Sequence, residues 1–275
     1  MGTDRIEYRH TAPKSLLNRG TGFLSGYSHS LNPYAGCAFG CSYCYVRRMP
    51  VAAFRGAEWG AWVDVKREAA ALLRKELRRE KAKGPVTLFM SSSTDPYQPI
   101  EYKEEITRSL LEVMAEDPPD FLFVQTRSPL VRRDADLFAR LGRKVRVSVT
   151  VETDLEDIRK RFSPAAPPIP ARLKALKELS AAGIPVQATI APILPSSERF
   201  PELLKPVANR VCIDDYFMGD GSGGRRTRSL GIEAIYRELG LEQWYGPDAY
   251  RIVYERMRRV YSEEQLFVSR DGFEP

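Results

Sequence analysis

The sequence predicts an α/β chain folded as a partial (β/α)6 TIM-like barrel with a short, mostly helical C-terminal extension. Between residues 86 and 214, apolar runs of strand length alternate with stretches whose apolar residues recur at helical spacing. Each such strand–helix–strand step is a right-handed crossover that sets parallel strands side by side and covers them with helices. With a strand near Ser28–Pro33 counted first there are about six repeats, short of the eight that close a full barrel.

The first 27 residues read as an N-terminal extension. They open on MGTDRIEYRH, which is charged and lacks the apolar stretch of a secretory signal. No run of eighteen apolar residues occurs, so no membrane-crossing helix is expected and the expected compartment is the cytoplasm. With 43% hydrophobic and 28% charged residues the composition is that of an ordinary globular protein, and 275 residues can bury a core without help from disulfides. A net charge of +6 permits a polyanionic partner without requiring one.

The barrel core is expected over 28–215. After the first strand and a cysteine-rich loop, Asp64–Lys83 reads as a helix with Asp64 as N-cap and Val65, Ala69, Leu72, Leu73 and Leu77 on one face. Its basic residues, among them Arg74, Arg78 and Lys81, read as a solvated face. Val86–Met90, Phe121–Thr126, Val145–Val151, Pro185–Ala191 and Arg210–Asp214 are rich in Val, Ile, Phe and Leu and read as buried strands. Between them Lys103–Glu116, Arg133–Leu141, Ala171–Ala182 and Ser197–Ala208 read as helices, the third stopped by Gly183 and the last interrupted by Pro201 and Pro206. Phe162–Pro170 is a proline-rich loop within the array. Residues 216–275 form the C-terminal extension: a glycine-rich stretch Gly219–Gly224, then Arg225, Arg226 and Arg228, then helical patterns near Gly231–Leu239 and Asp248–Tyr261.

In such a barrel, chemistry sits on the loops at the C-terminal ends of the strands. The cysteines, Thr94–Asp95, Arg127, Glu152 and Pro192 all fall there. Three of the four cysteines lie within Cys37-Ala-Phe-Gly-Cys41-Ser-Tyr-Cys44, a clustering that argues for metal rather than disulfide in a cytosolic chain. Thiolates are the donors that iron–sulfur clusters require, and three ligands to a four-iron cluster leave one iron open for catalysis. The alternative is a zinc site closed by Cys212. Cys212 lies on an expected strand, where a buried core thiol is the plainer reading.

The C-x3-C-x2-C spacing with Tyr43 before the third cysteine resembles the signature of the radical S-adenosylmethionine superfamily. Over roughly residues 28–215, the stretches NPYAGCAFGCSYCYVRR, STDPYQPIE, TRSPLVRRDADLF, VTVETDLEDIRKRFSPAAPPIPARLKAL and AGIPVQATIAPILP resemble the DNA-repair-photolyase-like group related to spore photoproduct lyase. The resemblance implies a [4Fe–4S] cluster on Cys37, Cys41 and Cys44 and S-adenosylmethionine chelated to the open iron. Reductive cleavage would give methionine and a 5′-deoxyadenosyl radical that abstracts hydrogen from a substrate, in a lyase-like reaction. It also implies an electron donor such as flavodoxin or ferredoxin.

By the same resemblance, Thr94 and Asp95 stand where the methionine amino group binds; Asp-Pro followed by Gln98-Pro99 is equally turn chemistry. Arg127 stands where a cation pairs with the methionine carboxylate, a surface ion pair being the alternative. Ser148 and Thr150 alternate with Val149 and Val151, so they face the barrel interior with Glu152, near the ribose or the methionine. Tyr43 and Tyr45 match positions that contact adenine, or else pack the loop. Ala191 is small enough to let adenine approach. Two departures stand out: Phe39 replaces a histidine common in relatives, and Ser91-Ser92-Ser93 replaces the stretch where spore photoproduct lyases carry a hydrogen-donating cysteine. Classical spore photoproduct repair would then need another donor, such as Tyr97.

Arg225, Arg226 and Arg228 on the glycine-rich loop suit phosphate contacts with DNA or RNA, or else a solvated, disordered loop. Trp244 and Tyr245 would stack on a base or pack a helix. Three functions compete: radical chemistry on nucleic acid; the same chemistry on a protein, peptide or small molecule; and a non-catalytic iron–sulfur or zinc protein that binds nucleic acid.

Overall fold

The computed structural model describes residues 6–275; the first five residues of the charged N-terminus lie outside the described residues. The strands are β1 (Glu7–Thr11), β2 (Leu17–Arg19), β3 (His29–Leu31), β4 (Tyr34–Ala35), β5 (Trp62–Lys66), β6 (Thr87–Met90), β7 (Phe121–Thr126), β8 (Val145–Thr150), β9 (Val186–Ile190), β10 (Val211–Ile213) and β11 (Leu266–Val268). An eight-stranded sheet runs β11-β10-β9-β8-β7-β6-β3-β2 and does not close. Within it β3, β6, β7, β8, β9 and β10 are consecutive parallel neighbours, the six repeats of a partial barrel. Antiparallel β2 finishes one edge, and parallel β11 the other.

Alternation along the strands divides the interior. Leu88, Met90, Leu122, Val124, Val147 and Val149 are fully buried and join the helices in the main core. The next residues along, Phe89, Phe123 and Cys212, face the other way into a second cluster with Tyr27 and Phe273. Further round the barrel the inner face turns polar. Ser148 Oγ meets Thr189 Oγ1 at 2.6 Å, Gln187 Nε2 donates to Thr189 Oγ1, and Gln125 Nε2 donates to Thr150 Oγ1 at 2.6 Å. The C-terminus plugs this face: Arg146 donates to the Glu274 carbonyl, and the Tyr27 hydroxyl to that of Phe273.

The expected helix over Asp64–Lys83 is two elements. Asp64 lies in β5, which pairs parallel with β1 and antiparallel with β4 in a separate three-stranded sheet. Glu68, left-handed at φ 56°, breaks the chain before a helix over Ala69–Lys81. A second left-handed residue, Glu105 at φ 49°, divides the expected Lys103–Glu116 helix into Glu101–Glu104 and Ile106–Glu116. The Ser197–Ala208 pattern shrinks to Phe200–Leu204, with Pro201 in its first turn and Pro206 just beyond its end. The C-terminal extension is helical over Ile232–Leu239 and Tyr250–Met257, and then adds β11, which the sequence pattern did not announce.

Candidate active site

The cysteine loop leaves β4 and is held by groups from four directions. Gly36 and Gly40 have φ of 80° and 53°, a region that favours glycine. A side chain at Gly36 would strike the Trp62 carbonyl and ring, and one at Gly40 would press on Gly60 Cα at 3.1 Å. Gln98 accepts from Ala38 N at 2.9 Å and donates to the Gly36 carbonyl, which also takes the Thr94 hydroxyl. Ser42 donates through N and Oγ to the Phe162 carbonyl, and Arg47 donates to the carbonyls of Gly40 and Cys41. Thr94 and Gln98 thus act on the loop itself.

The loop forms one wall of a cavity of about 550 Å³ at the C-terminal ends of the strands. Cys37, Cys41 and Cys44 line it together with Tyr43, Tyr45, Thr94, Asp95, Arg127, Thr150 and Ala191. Ser148 and Glu152 are fully buried beneath its surface, not on it. Of the three C-terminal arginines only Arg226 reaches the lining; Arg225 and Arg228 are exposed outside it.

Asp95 ties the ends of two strands. Its Oδ1 accepts from Tyr97 N at 2.9 Å and Thr126 Oγ1 at 2.6 Å, and its Oδ2 from Arg127 N at 2.8 Å. Burial pushes its carboxyl up, against the pull of these donors. Arg127 Nη1 donates to Tyr43 Oη at 2.7 Å and Glu152 Oε1 at 2.6 Å, and Tyr43 Oη donates to that same carboxylate oxygen at 2.6 Å. The other oxygen of Glu152 pairs with fully buried Arg172. Burial alone would raise the Glu152 carboxyl; Arg172 and Arg127 overcome it and hold the group down to about 2. Tyr43 is therefore committed to a buried charge network, whereas Tyr45 donates to the Ser92 carbonyl at 3.1 Å.

Other expected residues fall elsewhere. The Tyr97 hydroxyl donates to Asp134 at 2.9 Å, and the side chain lies 1% exposed outside the cavity lining, so it is not placed to donate hydrogen there. Trp244 is buried under Arg256, and Tyr245 packs among Tyr216, Phe217 and Tyr236, which is the packing alternative. The stretch Gly219–Ser229 is ordered around buried Asp220. One carboxylate oxygen accepts from Ser222 N, Ser222 Oγ and Gly224 N, and the other from Ser222 Oγ and Thr227 N. It continues into a short helix over Arg225–Arg228, not a disordered loop.

Several functional candidates were not read from the sequence. Arg172 sat unremarked on a helix face, and Gln125, Asp214 and Asp215 line the cavity. Strand ends were the signal for the last three.

The cysteine site fits an iron–sulfur cluster better than a zinc ion. Among the described residues no three His, Cys, Asp or Glu side chains converge on a single ion position. Three thiols on one short loop that line one cavity are donors of the kind an iron–sulfur cluster takes. Cys212 cannot complete a zinc site, because its thiol donates to the Ser269 carbonyl within the aromatic cluster. Burial pushes Cys44 up to about 11 and raises Cys37 and Cys41 as well, with the neighbouring thiols adding to it at Cys37 and Cys44. A bound metal would favour their thiolate forms.

An uncharacterized protein of Methanocaldococcus jannaschii is 34% identical over 172 residues, covering 62% of each chain. An uncharacterized protein of Mycobacterium tuberculosis is 30% identical over 216 residues, covering 74% of this chain and 62% of its own. The chain thus spans under two thirds of the length of these curated relatives. A cysteine-to-serine variant of spore photoproduct lyase superposes with a TM-score of 0.64 at 17% identity, over 95% of this chain and 81% of that one. A variant of the same enzyme with bound AdoMet and dinucleoside spore photoproduct gives 0.63 at 16% identity, over the same shares. These likenesses are in fold. Residues 31–205 match the family model of the Radical SAM superfamily, and the chain belongs to that superfamily.

Proposed function

We propose that the chain is a radical S-adenosylmethionine enzyme holding a [4Fe–4S] cluster on Cys37, Cys41 and Cys44. The observation that carries this is the shared cavity: three thiols on one wall, with Asp95 and Arg127 on another. When bound, the cluster and S-adenosylmethionine supply one-electron cleavage of the sulfonium and hydrogen-atom abstraction from a substrate. Asp95 Oδ2 carries one hydrogen bond, so it retains capacity for the methionine ammonium. Arg127 commits only Nη1 to Tyr43 and Glu152 and lines the cavity, where it pairs with the methionine carboxylate. Thr150 and Ala191, which line the cavity, would flank the nucleoside, and Tyr45, next to Cys44, would meet the adenine. An electron donor such as flavodoxin or ferredoxin completes the reaction.

For the substrate, nucleic acid and a lyase-like reaction are supported by the fold likeness to spore photoproduct lyase and by Arg225, Arg226 and Arg228 beside the cavity. A second reading, the same chemistry on a peptide or small molecule, is favoured by the acidic wall formed by Asp214 and Asp215. The test of the shared chemistry is anaerobic reconstitution with iron and sulfide, followed by dithionite and S-adenosylmethionine. Chromatography should find 5′-deoxyadenosine from wild type and none from Cys41→Ala. A reconstituted wild type that forms none refutes the enzyme reading in favour of a nucleic-acid-binding iron–sulfur protein.

A further inference from the structure

Some residues that line the cavity carry polar atoms that no described residue satisfies. Asp214 directly follows β10 and is 6% exposed; Asp215 comes next and is 4% exposed. Both line the cavity, and Asp214 Oδ1 and Asp215 Oδ2 have no hydrogen-bond partner among the described residues. Two more residues of the lining hold buried atoms without a partner, Ser91 Oγ and Gln125 Oε1. The Gln125 amide nitrogen is spent on Thr150, so its free atom is an acceptor. Three of the four atoms can only accept while the carboxyls are ionised.

Buried acceptors left unpaired cost free energy, and buried carboxylates without a counter-charge cost more. Neither aspartate has such a counter-charge among the described residues. Arg127 is taken by Glu152, and Arg226 donates to the Asp220 carbonyl. The charges that act on Asp214 are those of Asp215 and Asp220, both of its own sign; burial first, with these two, pushes its carboxyl up to about 7 against the pull of the Ser269 side chain. The arrangement is also built closely. The free oxygen of Asp214 is Oδ1, while Oδ2 rests where a side chain at position 219 would begin, a place open only because Gly219 has none. Asp215 spends its Oδ1 on Phe217 N and Met218 N and leaves Oδ2 buried without a partner.

We propose that Asp214 and Asp215 form the substrate-recognition end of the cavity and bind a cationic nitrogen group, an ammonium or guanidinium, of the molecule that undergoes hydrogen abstraction. The assignment rests on the reading of this cavity as the radical site and takes up the second of its substrate classes. A guanidinium or ammonium supplies both the missing charge and several N–H donors to Asp214 Oδ1, Asp215 Oδ2 and Gln125 Oε1. A phosphate there would face carboxylates, and a thymine edge, with one N–H between two carbonyls, would leave acceptors opposed to acceptors.

The test is isothermal titration of the reconstituted, unreduced protein with methylguanidinium and with methylurea, its neutral counterpart. Methylguanidinium should bind saturably and methylurea at least tenfold more weakly, a comparison that needs no variant. Asp214→Asn and Asp215→Asn, nearly isosteric, should each weaken methylguanidinium at least tenfold. Gly219→Ala, which displaces the Asp214 carboxylate without removing its charge, should weaken it as well. An arginine tripeptide run beside methylguanidinium separates the sources of the cation: tighter binding of the tripeptide assigns a peptide, equal binding a small molecule. Equal affinity for methylguanidinium and methylurea, or no binding of either, overturns the assignment. So does a tenfold loss of S-adenosylmethionine affinity in Asp214→Asn with methylguanidinium binding intact, which would give the carboxylates to the cofactor. Binding is read without reduction, so its absence alongside 5′-deoxyadenosine formation by the wild type refutes this assignment alone.

Discussion

Arg127 and Glu152 form a buried ion pair, Nη1 to Oε1 at 2.6 Å, and the same carboxylate meets Arg172 with its other oxygen. The pair ties the end of β7 to the end of β8, and Arg172 ties both to the helix over Ile169–Ala181. Glu152→Gln keeps the shape and removes the charge, leaving two buried guanidinium groups without an anion. Breaking a buried pair on one side costs about 3–5 kcal/mol. Urea unfolding should show that loss, with 5′-deoxyadenosine formation also reduced because Arg127 is no longer oriented. A change within about 0.5 kcal/mol would show that the network does not hold the site.

The same pair gives a pH dependence with a definite sign. The Glu152 carboxyl is held down to about 2 in the folded protein, from an ordinary value of 4.5. A depressed carboxylate contributes stability that is complete above the ordinary value and is lost as pH falls through the folded one. At about 1.4 kcal/mol per unit the contribution is roughly 3 kcal/mol. The stability gap between wild type and Glu152→Gln should therefore narrow as pH drops from 4.5 toward 2. Parallel curves for the two proteins across that window would refute the assignment of the shift to Glu152.

The cysteines separate cleanly by environment. Replacement of Cys37, Cys41 or Cys44 by alanine should cost the cluster, read as iron content and visible absorbance after reconstitution. Cys212→Ala should retain wild-type iron, because that thiol sits among Tyr27, Phe89, Phe123 and Phe273. Its cost should be one of packing, on the order of 1 kcal/mol for a small deletion in a core. Iron loss in Cys212→Ala to the level of the other three would restore a four-cysteine site.

Much of the barrel was legible because its strands are long, apolar and bounded by turns, as at Phe121–Thr126 and Val145–Thr150. The cysteine loop was legible because metal ligation leaves a local spacing. The misreadings share a cause. The spacing draws Asp64–Lys66 into a helix because Val65 falls in register with Ala69 and Leu72, and the partner strand β1 is exposed throughout, with no alternation to announce it. β11 is three residues long, too short for a period to show. Arg172 looked like the polar face of an amphipathic helix. Only the fold places Glu152 opposite it, twenty residues back in the chain. Asp214 and Asp215 were within reach of the strand-end rule that marked Asp95 and Glu152, but no motif drew attention to them.

The C-terminal arginines give the nucleic-acid reading its own test, provided the loop that carries them is kept. Asp220 is what keeps it, since its carboxylate gathers donors from Ser222, Gly224 and Thr227. Asp220→Ala should open Gly219–Ser229 to proteolysis and confound any binding assay. Arg225 and Arg228 are exposed, so their replacement by alanine should leave the fold intact. If they contact phosphates, the slope of log affinity against log salt for a short duplex should fall by about one for each arginine removed. If the slope is the same for wild type and the Arg225→Ala/Arg228→Ala protein, phosphate is not what these arginines bind. The excess positive charge would then serve the chain at large, and the acidic wall at Asp214 and Asp215 would be the better guide to the substrate.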